Sequence, residues 1–293
     1  MSGTLESARI KLAGPVDVPG SFERFTRWGD DLLDRWDGQV LVRTVLQGDG
    51  SVTPVAIEPS GTVKAPALEA TSESLAAITE PLESMIVTAH APLARLAAED
   101  PAIGAIAAVA APRRPILSLD PFAHLIASIT AQQVNMRWAV TLRRRLVDAY
   151  GQTLTVDGLA VSWLDPERIA RVEQTELREM QFSGRKAEYI VGLAQAIAEG
   201  ELSLLGLRDL EDDEVMARIT AIRGLGRWTA EWYLVRVLGR PHVVAGDLAV
   251  RKVIGSLYLS GEVPTEDEAR GLTAHWGDAA VVAQQLALEH LYS

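Results

Sequence analysis

The segment 222–232, IRGLGRWTAEW, combines residue types that could bind a phosphate group. Gly224 and Gly226 lie between two helical patterns, and glycine permits a tight reversal with positive φ. A helix that begins directly after such a turn leaves backbone amides uncovered, and these amides favour an anion. Arg223 and Arg227 flank the turn and add positive charge. The alternative is an ordinary helix–helix turn that glycine merely closes.

Two tryptophans follow the glycines at helical spacing. Trp228 and Trp232 are four residues apart, which places them about 6 Å apart along nearly the same face of a helix. A pair of large aromatic faces beside a phosphate-binding turn is what a pocket for an everted nucleobase requires. The same spacing is also typical of two tryptophans packed in a core, so both interpretations stay open at this point.

Asp247 opens the apolar-periodic segment GDLAVRK, where it could cap a helix. A helix N-terminus also keeps a carboxylate ionised, through the helix dipole and the free amides. Cleavage of a glycosidic bond needs an ionised carboxylate, because its transition state has oxocarbenium character. Asp247 is therefore a candidate for capping, for catalysis, or for both.

Together, GLGRWTAEW, GDLAVRK and the upstream PFAHLIASITAQQV resemble the helix-hairpin-helix superfamily of DNA glycosylases. Within it they most resemble the bacterial inducible 3-methyladenine DNA glycosylase II family. The resemblance is strong from Pro121 to Lys252 and only architectural before residue 90. It implies base flipping and hydrolysis of the N-glycosidic bond of an alkylated base, without a redox or catalytic metal cofactor.

The resemblance also assigns roles to individual residues. Asp247 falls on the catalytic aspartate, Trp228 and Trp232 on the aromatic residues that line the base pocket, and Gln133 on the residue that fills the gap left by the flipped nucleotide. The hairpin glycines bind DNA phosphate in that family, often with a monovalent cation held by hairpin carbonyls. With the flanking basic residues, the predicted DNA-binding set is Gln133, Arg223, Gly224, Leu225, Gly226, Arg227 and Arg251.

Several positions depart from the patterns of related enzymes. Trp228 stands where relatives such as endonuclease III carry a nucleophilic lysine, so β-lyase activity is not expected. Arg223 replaces the usual proline before the hairpin, and Leu288 replaces a tryptophan that walls the pocket in some members. In the last helices, WGDAAVVAQQ replaces the usual Pro-Trp-Arg. These departures leave the breadth of the pocket, and hence the substrate range, open.

Charge is distributed unevenly along the chain. The net charge of −11 argues against binding to nucleic acid. However, residues 218–252 contain seven basic residues (Lys or Arg) and only two acidic ones (Asp or Glu). Residues 1–112 contain eight basic residues and 15 acidic ones. We therefore expect the basic segment 218–252 to contact DNA, although a solvated helix face would give the same pattern.

The elements that position these residues change in type along the chain. QVLVRTVLQ, SVTPVAIEP and TVKAPALEA are β-rich runs separated by turn formers, and SFERFTRWGDDLLDRW has helical spacing. Later segments are helical, with a break expected at Pro81. We predict an α+β fold, with a small N-terminal antiparallel α/β domain over residues 1–88. An all-α helix-hairpin-helix glycosylase domain of two lobes follows over residues 89–293.

Composition excludes several classes of protein. The chain has 293 residues, 48% of them apolar, and no cysteine, which excludes disulfides, thiolate catalysis and iron-sulfur clusters. The N-terminal residues lack a signal-peptide pattern, and the run AIGAIAAVAAP is too short to cross a bilayer. We predict a cytoplasmic monomer that needs no membrane or cofactor.

The hypothesis is a monofunctional DNA N-glycosylase that excises alkylated bases of the 3-methyladenine and 7-methylguanine type. Its partner is double-stranded DNA that contains damaged bases. Two alternatives stay open: a glycosylase for neutral lesions such as uracil or hypoxanthine, and a non-catalytic helix-hairpin-helix module that binds damaged DNA.

Overall fold

The N-terminal part of the chain forms a five-stranded antiparallel sheet, as the sequence predicts. In this computed structural model, which describes residues 4–292, the strand order is β1-β5-β4-β3-β2. Residues 1–3 of the predicted first domain and residue 293 of the second lie outside the described residues. The bounds are β1 Glu6–Lys11, α1 Val18–Phe22, β2 Arg35–Trp36, β3 Leu41–Leu46, β4 Val52–Thr62, β5 Ala65–Ser72 and α2 Leu75–Ser84.

Two local predictions about this part are wrong. The helical spacing of residues 21–36 yields only the end of α1, one 3-10 turn and strand β2, because the side chains of Asp30 and Asp31 accept hydrogen bonds from the backbone amides of Leu32 and Leu33. Such local bonds compete with helical ones. The helix break also falls after α2 rather than at Pro81, which lies inside α2.

Helices make up most of the remaining chain. They are α3 His90–Glu99, α4 Pro101–Val109, α5 Pro121–Ala131, α6 Met136–Tyr150, α7 Pro166–Ile169, α8 Gln174–Glu179, α9 Gly184–Ala198, α10 Asp212–Ala221, α11 Arg227–Arg236, α12 Leu248–Tyr258, α13 Glu266–Thr273 and α14 Ala280–Tyr292. Among the described residues, no helix has both the length and the apolar character needed to cross a membrane.

The helices pack around two hydrophobic cores, and the division of the chain into two lobes stays a prediction. The first lobe, α5–α11, has a core that contains Tyr233 and Leu234. The second lobe, α3, α4 and α12–α14, has a core that also takes Val235 from α11. Trp228 and Trp232 pack against this second core. Helix α11 therefore lies at the junction of the lobes, with α12 beginning beside it.

A two-stranded hairpin lies among the helices of the first lobe, an addition to the predicted helical domain. Strands β6 Gln152–Val156 and β7 Leu159–Trp163 are joined by Asp157 and Gly158, both with positive φ. Val156 and Val161 pack against the five-stranded sheet through Val42 and Ala56. An Asp-Gly pair between alternating apolar residues is a strong hairpin signal. The domain boundary at residue 88 stays a prediction. The contacts of Val156 and Val161 with the sheet join residues on both sides of that boundary.

Candidate active site

The two glycines of the α10–α11 hairpin have different structural roles. Gly224 has a φ of +92°, and a Cβ atom added there would lie 2.1 Å from Cγ of Tyr189. Gly226 is the N-cap of α11 with a φ of −92°, and an added Cβ would meet nothing within 4 Å. Glycine is therefore required by conformation and space at 224, whereas at 226 it keeps the start of α11 open.

The side chains around the hairpin divide into exposed and buried ones. Arg223 is 79% exposed and pairs with Glu188 at 3.0 Å, and Arg227 is 56% exposed. Leu225 is only 3% exposed, in the core of the first lobe. Contact of Leu225 with DNA stays a prediction, and its amide donates to the carbonyl of Ile222 at 3.0 Å.

The loop between α5 and α6 lies directly against the hairpin. Gln132 donates a hydrogen bond from Nε2 to the carbonyl of Gly224 at 2.9 Å. The next residue, Gln133, is exposed and has a φ of +58°. The structure thus brings the predicted gap-filling residue and the predicted phosphate-binding turn to one surface. Sequence reasoning missed Gln132, which joins two segments 92 residues apart.

Asp247 is both a helix cap and the centre of a hydrogen-bonded cluster. Its Oδ1 accepts from the amides of Ala249 at 2.8 Å and Val250 at 3.1 Å. Its Oδ2 accepts from Nε1 of Trp228 at 2.7 Å and Nε1 of Trp232 at 3.2 Å. The i,i+4 spacing of the tryptophans therefore places both indole edges on one carboxylate oxygen, which fixes the orientation of Asp247.

The surroundings of Trp232 bear on the predicted base pocket. The Cζ atom of Arg236 lies 5.3 Å from the centre of the Trp232 ring, and Arg236 donates a hydrogen bond to Gln285 on α14. Leu288, also on α14, is half-buried and packs against the core of the second lobe. Entry of a base between Trp228 and Trp232 stays a prediction. In the structure, the Nε1 groups of both indoles donate to Asp247.

Glu231 is a residue of the site that sequence reasoning missed. It lies between the tryptophans on α11 and is fully buried. Burial raises the pKa of its carboxyl group, but contacts with His242, Arg270, Arg227 and the Gly246 amide outweigh burial and hold the pKa at about 2. Glu231 is therefore an ionised group beneath Asp247. The sequence signal that could have identified Glu231 is a charged residue between two tryptophans on the same helix.

Two further predictions, DNA binding by Arg251 and a monovalent cation at the hairpin, stay predictions. Arg251 is half-buried and donates from Nη1 to the carbonyl of Pro264 at 3.2 Å, so its guanidinium is engaged within the second lobe. The carbonyls of Ile222, Gly224 and Gly226 each accept a hydrogen bond within the protein. No observation at these three carbonyls favours a monovalent cation. Within residues 4–292, no group of three or more His, Asp or Glu side chains is arranged to hold a metal ion.

Comparison with known proteins gives a family match over just over half of the chain. Residues 126–277 match the model described as HhH-GPD superfamily base excision DNA repair protein. Relatives include a putative DNA-3-methyladenine glycosylase of Bacillus subtilis, 34% identical over 55% of each chain. A DNA-3-methyladenine glycosylase of the same organism is 32% identical over 54% of this chain and 52% of that one. The chain thus spans about half the length of these curated relatives.

Solved structures share the fold over nearly the whole chain. A 3-methyladenine DNA glycosylase from Archaeoglobus fulgidus has a TM-score of 0.81 at 23% identity, over 98% of this chain and 99% of that one. A Clostridium acetobutylicum 8-oxoguanine glycosylase/lyase in complex with DNA has a TM-score of 0.71 at 14% identity, over 99% and 97%. At these identities the likeness establishes the fold.

Proposed function

Since the chain belongs to the HhH-GPD superfamily of base excision DNA repair proteins, we propose that it is a monofunctional DNA N-glycosylase for alkylated bases. The observation that carries the proposal is the Asp247 carboxylate, which two indole N–H groups and two helix amides hold beside the hairpin. The names of the curated relatives support alkylated bases as the substrate class.

The geometry of Asp247 suits the hydrolysis of a glycosidic bond. Four N–H donors hold the carboxylate in one orientation, in which it can stabilise the positive charge that develops on the sugar. The same carboxylate orients the attacking water. Alkylation at a ring nitrogen makes a purine cationic, as in 3-methyladenine and 7-methylguanine. Such a base leaves readily, and the site therefore needs little help from a general acid.

DNA binding is the second part of the proposal. The open amides after Gly226 and the exposed Arg223 and Arg227 would bind backbone phosphate. Gln133, on the adjacent loop, would fill the gap in the base stack when the damaged nucleotide flips out. We further propose that the protein acts as a monomer in the cytoplasm on double-stranded DNA.

One observation favours neutral lesions as an alternative substrate. The guanidinium of Arg236 lies over the Trp232 ring, and a cation at that position would repel a cationic base on the same side of the ring. Duplexes that each carry one lesion separate the two candidates. The proposed function predicts abasic-site formation at 3-methyladenine and 7-methylguanine. Faster release of uracil or hypoxanthine would favour the alternative, and binding without release from any duplex would favour the non-catalytic module.

We predict that borohydride will not trap a covalent complex between this protein and lesion-containing DNA. Trp228 occupies the position of the nucleophilic lysine in related lyases, and an indole cannot form a Schiff base. Intact strands with abasic sites should accumulate until alkali cleaves them. The measurement is denaturing electrophoresis after borohydride treatment, with a bifunctional glycosylase as the positive control. Efficient trapping would show that the protein is a lyase.

We expect Arg223→Gln to weaken DNA binding and to reduce its salt dependence. Loss of one phosphate contact should lower the slope of log K against log salt concentration by about one. The matched control is Arg171→Gln, because Arg171 is 78% exposed and also pairs with a glutamate, but lies on the α7–α8 connection. The DNA affinity of both variants is measured by fluorescence anisotropy from 50 to 200 mM salt. Over this range, the affinity of a protein that makes several phosphate contacts falls by orders of magnitude. Equal slopes for the two variants would place the DNA surface elsewhere.

A further inference from the structure

The carboxylate of Glu231 connects α11 with α13 and with the loop that leads to Asp247. Oε1 lies 3.0 Å from Nε of Arg227, 2.9 Å from Nη2 of Arg270 and 3.7 Å from Nε2 of His242. Oε2 accepts a hydrogen bond from the amide of Gly246 at 3.1 Å. One oxygen is thus held by basic side chains, while the other holds the backbone one residue before Asp247.

The loop before Asp247 is held by burial of Val244 and Ala245 in the second core, by its own backbone bonds and by Glu231. The amide of Asp247 donates to the carbonyl of Val244 at 3.0 Å, and the amide of Val244 donates to Oε1 of Gln284 at 2.8 Å. The Gly246 backbone passes so close to α11 that an added Cβ would lie 3.2 Å from Oε2 of Glu231 and 3.7 Å from Cα of Trp228. Glu231 therefore links the loop directly to the helix that carries both tryptophans.

We propose that Glu231 is a positioning residue that holds the Gly246 backbone so that Asp247 meets the two indole N–H groups and the reacting sugar. This proposal rests on the proposed glycosylase function, because it concerns the geometry of the same carboxylate. The ionised form is required, since Oε1 must hold the basic side chains in place while Oε2 accepts from Gly246. A displacement of a reacting group by about 1 Å can cost on the order of a hundredfold in rate.

The test is Glu231→Gln, which keeps the shape of the side chain and removes its charge. A glutamine must place its NH2 group either against the basic side chains or against the Gly246 amide, so one of the two sets of contacts is lost. We expect single-turnover excision to fall roughly tenfold or more. Because Glu231 also holds Arg227 at the hairpin, lesion affinity is measured separately, and excision is compared at protein concentrations that saturate the DNA. Excision is measured below the melting temperature of every variant.

The matched control is Asp100→Asn, which makes the same chemical change at another buried carboxylate. Asp100 is 5% exposed, caps α4, and accepts side-chain hydrogen bonds from Ala102, Ile103, Tyr258 and His275, all outside the loop before Asp247. We expect this variant to lose stability and to keep its excision rate. A second variant, Arg270→Gln, removes one partner of Glu231 at a half-buried surface position and should slow excision a few-fold.

A combination with Asp247→Asn separates positioning from a general structural effect. If Glu231 acts through Asp247, Glu231→Gln should add less than about twofold to the loss already caused by Asp247→Asn. An additional tenfold loss in that background would overturn the proposal. Excision at the original rate by both Glu231→Gln and Arg270→Gln would also overturn it, while leaving the proposed function intact. The proposed function fails separately, if the unaltered protein releases no alkylated base.

Discussion

Asp247→Asn is expected to slow single-turnover excision by a factor on the order of 100 to 1,000, which is the usual loss when one preorganised electrostatic group is removed. The substitution keeps the size of the side chain but removes the charge that faces the developing oxocarbenium ion. The loss should be smallest for the most labile cationic purines, because these leave with little assistance. Lesion affinity should persist, since the change removes a negative charge beside DNA phosphates.

The contacts of Asp247 add an expectation about stability. Asparagine normally caps a helix about as well as aspartate. Here, however, each carboxylate oxygen accepts two N–H donors. Whichever way the amide turns, its NH2 group faces donors, and leaving such partners unsatisfied costs about 1–3 kcal/mol. We therefore expect a lower melting temperature as well as slower chemistry.

Asp165→Asn is the matched control for this prediction. Asp165 also caps a helix through its side chain, at the start of α7, far along the chain from the hairpin. It should change stability by only a few tenths of a kcal/mol and leave excision unchanged. Normal excision by folded Asp247→Asn would remove the catalytic role and favour the non-catalytic DNA-binding module.

Gly224→Ala is expected to reduce both stability and DNA affinity. The new methyl group would overlap the ring of Tyr189, and the φ of +92° is unfavourable for alanine. Strained backbone of this kind costs on the order of 1–3 kcal/mol. The hairpin must therefore shift, and its amides would no longer point together at one phosphate. A loss of affinity on the order of tenfold corresponds to about 1.4 kcal/mol of lost contact.

Gly226→Ala tests whether DNA affinity is lost when the amides of α11 are blocked while the hairpin keeps its shape. Alanine meets no neighbouring atom at residue 226 and adopts its φ without strain. Alanine caps a helix less well than glycine, so the free energy of unfolding should fall by about 0.5–1 kcal/mol. The methyl group would nevertheless stand before the open amides of α11 and hinder a phosphate. Calorimetry and anisotropy on both variants give the comparison. Unchanged DNA affinity in both would mean that this hairpin does not bind DNA.

Local patterns were sufficient to predict much of the fold and the identity of the central residues. Alternating β-rich runs between turn formers predicted β3, β4 and β5, because side chains alternate between the faces of a strand. The hairpin between α10 and α11 followed from two glycines between helical segments. Asp247 was predicted as a cap from its position before an apolar-periodic segment, and it caps α12. Each of these features depends on residues close together in the chain.

Local patterns failed where a nearby or distant partner overrode them. The spacing of residues 21–36 is helical, but Asp30 and Asp31 bind their own backbone instead. The β6–β7 hairpin carried a readable Asp-Gly turn signal, yet it lies between helices and was not predicted. Its strands persist because they pack on the N-terminal sheet through Val42 and Ala56.

The sequence by itself identified Asp247, Trp228 and Trp232 as candidate site residues, and tertiary structure alone decided how they meet. The spacing of Trp228 and Trp232 fixes their common face, but only the packing of α12 beside α11 places both indole edges on Asp247, 19 and 15 residues away. Arg270 reaches Glu231 across 39 residues, and Gln132 reaches Gly224 across 92. Such contacts follow from how helices pack against each other, and helical periodicity specifies only which face of each helix is apolar.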